Sequence, residues 1–294
     1  MPTQFILPNA PREGIVINVP AMRLFYFPPH KPGEKQVVYT HPIGIGRVGW
    51  KTPEGVTRVI RKQKDPVWRV PPSIHKEHAE NGEILPPVVQ AGPDNPLGRS
   101  AMYLAWPSYL IHGTNKPYGV GLRSSHGCIR LYNEDVDPLF ERVPVGTQVR
   151  VVNQPFVFGW RDGELYLQAN DVLEDDPRDW NRAEKKLLSR DLAARIQKQL
   201  IARKAVVDWD EVAGITHQPR GIPIPISGPA VSLEQVLAGA VKVENRIPDG
   251  ANWDGKVELA VDEKKFQEML SDSDPGATPA ASSGAETPVK KPKS

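Results

Sequence analysis

Cysteine is almost absent from this sequence: 294 residues contain one, Cys128. A single thiol cannot close an intrachain disulfide, so the fold must stand on its core, and a disulfide-stapled scaffold is excluded. Long apolar runs are missing as well. No stretch approaches the ~18 consecutive apolar residues of a membrane span, so no transmembrane segment is expected. The opening MPTQFILPNAPREG has no basic region, and its one apolar run, Phe5–Leu7, falls short of the ~7–15 residues of a secretory h-region. Either the protein is cytosolic or a leader lies upstream. An excess of one charge is also lacking: 37 Lys+Arg stand against 35 Asp+Glu. Bulk charge therefore points neither to a disordered polyelectrolyte nor to a nucleic-acid partner.

Proline, by contrast, is abundant. The 31 prolines are about twice the average usage of ~5%, which favours loops and short elements over a helical bundle. From Gly14 to Val152, short apolar and β-branched runs alternate with turn residues, predicting strands at Ile15–Val19, Met22–Phe27, Val37–Ile45, Val56–Arg61, Ala101–Ala105, Tyr109–His112 and Thr147–Val152. One short helix is expected over Asn133–Val143, with Asn133 as its cap and Val136, Leu139, Phe140 and Val143 at helical spacing. The fold class that follows is β-dominated, a sandwich or barrel-like domain with a short helix.

Between Arg61 and Ala101 the chain carries Pro66, Pro71, Pro72, Pro86, Pro87, Pro93 and Pro96. It reads as a long ordered lid without elements of its own. His75 and His78 lie in it, and with no third ligand nearby they read as surface histidines. Past Val152, a hairpin is expected around Arg161-Asp162-Gly163. A long amphipathic helix over 177–204 follows, capped by Asp175 and Asp176 and bearing a basic outer face. A small α+β extension comes next, with a capping box at Ser232 and Gln235, a strand Val257–Val261 and a last helix around Phe266–Leu270. Residues 271–294, rich in Ser, Ala, Pro, Thr and Lys, have the composition of a disordered tail. The expected divisions are 12–153, 154–205, 206–270 and 271–294.

Chemistry concentrates around the lone thiol. Tyr109-Leu110-Ile111-His112-Gly113-Thr114 reads as a strand delivering His112 at its end, and Arg123-Ser124-Ser125-His126-Gly127-Cys128-Ile129-Arg130 surrounds the cysteine with polar residues and glycine. That is a poor setting for a packing residue. A cysteine attacks as thiolate, and its ordinary pKa near 8.5 calls for a histidine to take the proton. Two histidines qualify: His126, two residues away, and His112, brought back by a glycine-containing loop. Arg123 and Arg130 bracket the thiol with positive charge, favouring thiolate and an anionic substrate group. A metal site of His112, His126 and Cys128 lacks a further ligand at suitable spacing, so no metal or cofactor is expected.

His112-Gly113-Thr114 followed by Ser125-His126-Gly127-Cys128-Ile129-Arg130 resembles the catalytic signature of the L,D-transpeptidases, bacterial cell-wall enzymes of the YkuD type. The likeness extends to Phe5–Pro8, Gly14–Pro20, Gly44–Gly49, Ala91–Gly98 and Val143–Gly146, in the manner of the Gram-negative subgroup, and covers about residues 5–155. It implies Cys128 as nucleophile, His112 as general base and the Gly113 carbonyl as the group orienting the imidazole. It further implies that backbone N–H groups of His126, Gly127 and Cys128 form the oxyanion hole, beside Ser125. Arg130 stands where many relatives have Asn, and with Arg123 it is a candidate for substrate carboxylate recognition. The implied substrates are peptidoglycan stem peptides, with a second stem, an outer-membrane lipoprotein lysine or water as acceptor, and the implied compartment is the periplasm behind a leader not in this chain. The competing readings are another Cys-His hydrolase or carboxypeptidase and a non-catalytic wall-binding module.

Overall fold

The computed structural model describes residues 5–178, 190–229 and 231–239. In chain order the strands are β1 Gly14–Asn18, β2 Arg23–Phe27, β3 Tyr39–Pro42, β4 Ile45–Gly46, β5 Gly55–Lys64, β6 Trp68–Arg69, β7 Val88–Val89 and β8 Ser100–Leu104. They continue as β9 Leu110–His112, β10 Arg123–Ser125, β11 Ile129–Arg130, β12 Gln148–Val152, β13 Phe156–Arg161, β14 Glu164–Ala169 and β15 Pro223–Pro225. The helices are α1 Pro72–Glu80, α2 Asn133–Arg142, α3 Arg190–Arg203, α4 Trp209–His217 and α5 Leu233–Ala238.

The sandwich-or-barrel expectation resolves as one mixed sheet of eight strands in the order β11-β9-β8-β5-β12-β1-β2-β3. Alternation of side chains along each strand divides it into two faces. Ile15, Ile17, Leu24, Tyr26, Val149, Val151, Met102, Ile111 and Ile129 line one face and form the main core with Val136, Leu139 and Phe140 of α2. Val16, Phe25 and Phe27 turn to the other face, where Phe5 and Leu7 cover them. The apolar N-terminal run is thus a sheet cover. All seven expected strands occur, with shifted ends. The expected Val37–Ile45 strand is interrupted at Ile43-Gly44, because Gly44 leaves its neighbours to exchange backbone hydrogen bonds with Arg130, at 2.8 and 3.0 Å.

Asn133 is not the cap of α2. Tyr132 occupies that position without a side-chain bond, while the Asn133 amide donates to the Thr114 carbonyl (2.9 Å) and accepts from the Arg99 N–H (3.2 Å). It therefore stitches the loop after His112 to the loop before β8. The proline-rich segment is not free of elements: α1 starts with Pro72 in its first turn, where proline's missing N–H costs nothing. His78 Nδ1 meets Glu83 Oε2 at 2.5 Å, an ion-pair geometry in place of a surface histidine.

The predicted hairpin is β13–β14, and Asp162 and Gly163 both take positive φ, 51° and 87°, as a two-residue primed turn requires. β15 adds to β14, so the hairpin and the segment beyond α3 share one sheet. Phe156, Leu165, Leu167, Leu200, Val207, Val212 and Ile226 form its core. Asp175 and Asp176 do not cap a helix at 177. Pro177 and Arg178 are non-helical, and the two carboxylates bind Arg123 and Arg178 instead, at 2.8 and 2.5 Å. The described part of the expected long helix is α3. The capping box of Ser232 and Gln235 is present at the start of α5. The expected strand Val257–Val261, the last helix and the tail lie outside the described residues. Among the described residues, no helix is long and apolar enough to cross a membrane.

Candidate active site

β9 and β11 run parallel, with Ile129 level with Ile111 and Arg130 level with His112. Partner residues in a parallel pair face the same way, and side chains alternate along each strand. Ile111 and Ile129 are therefore buried in the main core, while His112 and Arg130 lie together on the opposite face. Continuing the alternation back from Arg130 puts Cys128 on that face too. Two hydrophobic residues at alternate positions thus anchor the element that displays three chemical ones.

His112 is 3% exposed, and its Nδ1 lies 2.6 Å from the Gly113 carbonyl oxygen. A carbonyl can only accept, so Nδ1 carries the proton and the lone pair of the neutral ring is on Nε2. Burial, and then the positive Arg130, push the His112 pKa down to about 3; the Gly113 and Leu97 backbones act in the opposite direction. Burial raises the Cys128 pKa, against pulls in the other direction from the Leu110 backbone and Arg130. The thiol donates to the Ser108 carbonyl at 3.4 Å. Both members of the pair are consequently neutral at rest.

The turn before the cysteine is held from two sides. The Ser125 hydroxyl, 1% exposed, donates to the Cys128 carbonyl (2.6 Å) and accepts the Gly127 N–H (3.1 Å). Thr52 Oγ1 donates to the Gly127 carbonyl (2.8 Å) and accepts the Gly46 N–H (2.9 Å). Gly127 has φ +100°, and a Cβ there would lie 2.7 Å from the Tyr109 ring, so only glycine fits without displacement. One of the three backbone donors expected at the oxyanion position, Gly127 N–H, is already engaged by Ser125.

His126 points elsewhere. Its Nε2 is 3.0 Å from an Arg47 guanidinium nitrogen, and its ring meets Trp50 edge-on at 4.8 Å. Because arginine only donates, that Nε2 is an acceptor already in use. Arg123 does not bracket the thiol either: it pairs with Asp175 at 2.8 Å and donates to the Gly46 carbonyl at 3.2 Å. This pairing holds the Asp175 carboxyl below its usual range. The positive charge acting on Cys128 is that of Arg130. Among the described residues, no group of three or more His, Cys, Asp or Glu side chains is placed to hold a metal ion.

Sequence reasoning passed over Arg47, Trp50, Thr52, Ser108 and the Asn133 amide. The only available signal was the glycine-rich Gly44–Gly49 stretch, whose Gly46 packs against Gly127: a Cβ on it would fall 3.0 Å from the Gly127 Cα.

Residues 12–151 match the YkuD family model, described as an L,D-transpeptidase catalytic domain. The chain is 41% identical over 231 residues to the probable L,D-transpeptidase ErfK/SrfK of Escherichia coli K12, covering 77% of this chain and 71% of that protein. The chain belongs to the L,D-transpeptidase family. It is also 47% identical over 175 residues to probable L,D-transpeptidase YbiS of the same organism, across 59% of this chain and 56% of that one. A solved Enterococcus faecium L,D-transpeptidase aligns with 48% of this chain and 50% of its own, at 23% identity and a TM-score of 0.36. The matched segment of this L,D-transpeptidase ends within β12, so the β13–β15 unit lies outside the family model.

Proposed function

We propose that Cys128 and His112 carry out the transpeptidation, on stem peptides of peptidoglycan. The observation that carries this reading is the β9–β11 register, which places Cys128, Arg130 and His112 on one face while Gly113 fixes the imidazole with its Nε2 lone pair available. A carbonyl here takes the orienting role that a carboxylate plays in other nucleophile–base pairs. Since both groups start neutral, the proton moves as attack occurs: Cys128 Sγ adds to the carbonyl of the L-centre residue, diaminopimelate in a Gram-negative wall, while His112 Nε2 accepts the thiol proton. The tetrahedral oxyanion is met by backbone N–H, with the Cys128 N–H in the leading place because Ser125 holds that of Gly127. His112 returns the proton to the leaving nitrogen, the C–N bond breaks, and a thioester remains. An acceptor amine then displaces sulfur as His112 receives and returns a proton in the reverse sense.

The acceptor is a second stem or a lipoprotein lysine, and the place of action is the periplasm. This follows the similarity to Escherichia coli relatives named as L,D-transpeptidases. Ser125 and Thr52 are positioning residues in this scheme. Arg123 secures the fold through Asp175 and takes no part. Mixing the protein with a carbapenem should give one covalent adduct by intact mass, lost in Cys128→Ala; an unmodified wild type refutes the nucleophile. Purified muropeptides then distinguish products: an added amine that leaves product identity unchanged, with water as the only acceptor, supports the carboxypeptidase reading.

A further inference from the structure

The three residues ahead of Cys128 are each tied to the loop between β4 and β5. The Ser125 carbonyl accepts the Arg47 backbone N–H (3.0 Å), the His126 Nε2 accepts from the Arg47 guanidinium (3.0 Å), and the Gly127 carbonyl accepts the Thr52 hydroxyl (2.8 Å). A carbonyl keeps its lone pairs at every pH, so the first and third bonds do not depend on it. The second ends on an imidazole nitrogen and survives only while that nitrogen is unprotonated.

The sequence of this loop folds so as to present Arg47 there. Val48 and Gly49 fill a turn closed by the Trp50 N–H on the Arg47 carbonyl (2.9 Å), and Gly49 supplies a φ of +83° at the third turn position. Both ends of the turn thereby reach His126: Trp50 meets the imidazole edge-on at 4.8 Å, and the Arg47 guanidinium carbon lies 6.0 Å from the centroid of the same indole. The other charged groups of these elements have partners of their own. Lys51 pairs with Glu54 at 3.1 Å, Arg123 with Asp175 at 2.8 Å, and Arg130 donates to the Ser124 carbonyl at 3.3 Å.

We propose that Arg47 is a positioning residue for acylation: through the His126 imidazole it holds the turn that carries Cys128, and protonation of His126 releases that hold. The inference rests on the assignment of Cys128 and His112 above, and it gives the ring of His126, which that scheme leaves without a task, a part in the reaction. It also separates the two histidines in pH. His112 is buried, neutral and engaged with Gly113, its pKa pushed down to about 3. Its titration therefore lies below the range of about pH 5 to 8 in which histidine ordinarily changes charge, and a fall in acylation within that range belongs to His126. Once His126 is protonated, ring and guanidinium are both cations, and the turn is left on its carbonyl contacts alone.

The rate of acylation by a carbapenem, followed by intact mass from pH ~5 to pH ~8, tests this. The wild type should slow on the acid side. Arg47→Ala should be slower than wild type by about 10- to 100-fold at pH ~8, the range of one charge-assisted hydrogen bond, and should come within about threefold of it at pH ~5, where the wild type has lost the same contact. Arg47→Lys keeps a donor and should recover part of the rate and of the acid limb. A residue that merely supports the fold gives a loss of the same size at every pH; that result, a loss under about twofold at pH ~8, or a wild-type rate flat over the range overturns the proposal. His126→Gln presents an amide oxygen that does not titrate, so its profile should be flat whatever its rate at pH ~8. An acid limb like that of the wild type in this variant overturns the proposal even where Arg47→Ala fails to fold. Failure of the underlying assignment looks different: the carbapenem then leaves Cys128 of the wild type unmodified at every pH.

Discussion

The burial of a neutral histidine beside an arginine makes the stability of this protein depend on pH in a way that one substitution can isolate. In the unfolded chain His112 titrates near its ordinary 6.5, whereas in the fold burial and Arg130 push it to about 3. Between those values the unfolded state binds a proton that the folded state refuses, so stability rises with pH across this window. The contribution is fully present above pH 6.5 and is lost as pH falls toward 3. At pH ~4.5, two units below the unfolded value at 1.36 kcal/mol each, the loss due to this ring is on the order of 2–3 kcal/mol. Carboxylates titrate in the same range, so the raw curve is not diagnostic. The difference between wild type and His112→Asn is, because the other groups are common to both and cancel where sites are independent.

Urea unfolding of both proteins at pH ~7 and pH ~4.5 supplies the numbers. Wild type should lose about 2–3 kcal/mol more than His112→Asn on acidification. Arg130→Gln should fall between them, since it removes the second cause of the shift and leaves the first, burial. Parallel pH dependence in wild type and His112→Asn would refute the reasoning, for it would mean the ring charges as readily in the fold as outside it.

Removing the Ser125 hydroxyl in Ser125→Ala orphans the buried Gly127 N–H and frees the Cys128 carbonyl; at about 1–3 kcal/mol for a stranded buried group, thermal unfolding should drop by roughly 3–10 °C, and a midpoint within ~1 °C of wild type would contradict the assigned role. Gly127→Ala combines a φ of +100° with a 2.7 Å approach to the Tyr109 ring, so acylation by a carbapenem should slow by about tenfold or more, ~1.4 kcal/mol being tenfold; unchanged acylation would show that the turn has freedom the geometry denies it.

The sheet was legible because its two faces are written as alternation: Ile15 and Ile17 against Val16, Leu24 and Tyr26 against Phe25 and Phe27. What alternation does not carry is pairing over distance. The strand expected through Ile45 breaks at Gly44 because Arg130 meets it there, and nothing near Gly44 in the sequence announces that partner. The prolines between Arg61 and Ala101 suggest an ordered lid without elements of its own, yet Pro72 opens α1 there. In the site, the polar string around Cys128 showed where chemistry lay, but not which histidine serves it. That choice depends on the register of β11 on β9 and on Arg47 engaging His126. Arg123 misled for a related reason: proximity in sequence suggested action on the thiol, while its counter-charge, Asp175, lies 52 positions away.

Arg130 acts on both members of the Cys128–His112 pair in opposite senses. It favours thiolate at Cys128 and disfavours imidazolium at His112. A resting ion pair, with proton already on the histidine, gains at one end and loses at the other, and burial opposes charge at both. The neutral pair therefore persists until a reacting carbonyl arrives. A thiol is a weaker target for oxidants than a thiolate, so the neutral pair protects the single cysteine of this chain at rest. Neutralising Arg130 acts on both ends at once: it relieves the smaller of the two causes that lower His112, behind burial, and withdraws the support that the guanidinium gives the thiolate. Arg130 therefore leaves the place of the proton to burial, which keeps the pair neutral until attack on a carbonyl begins.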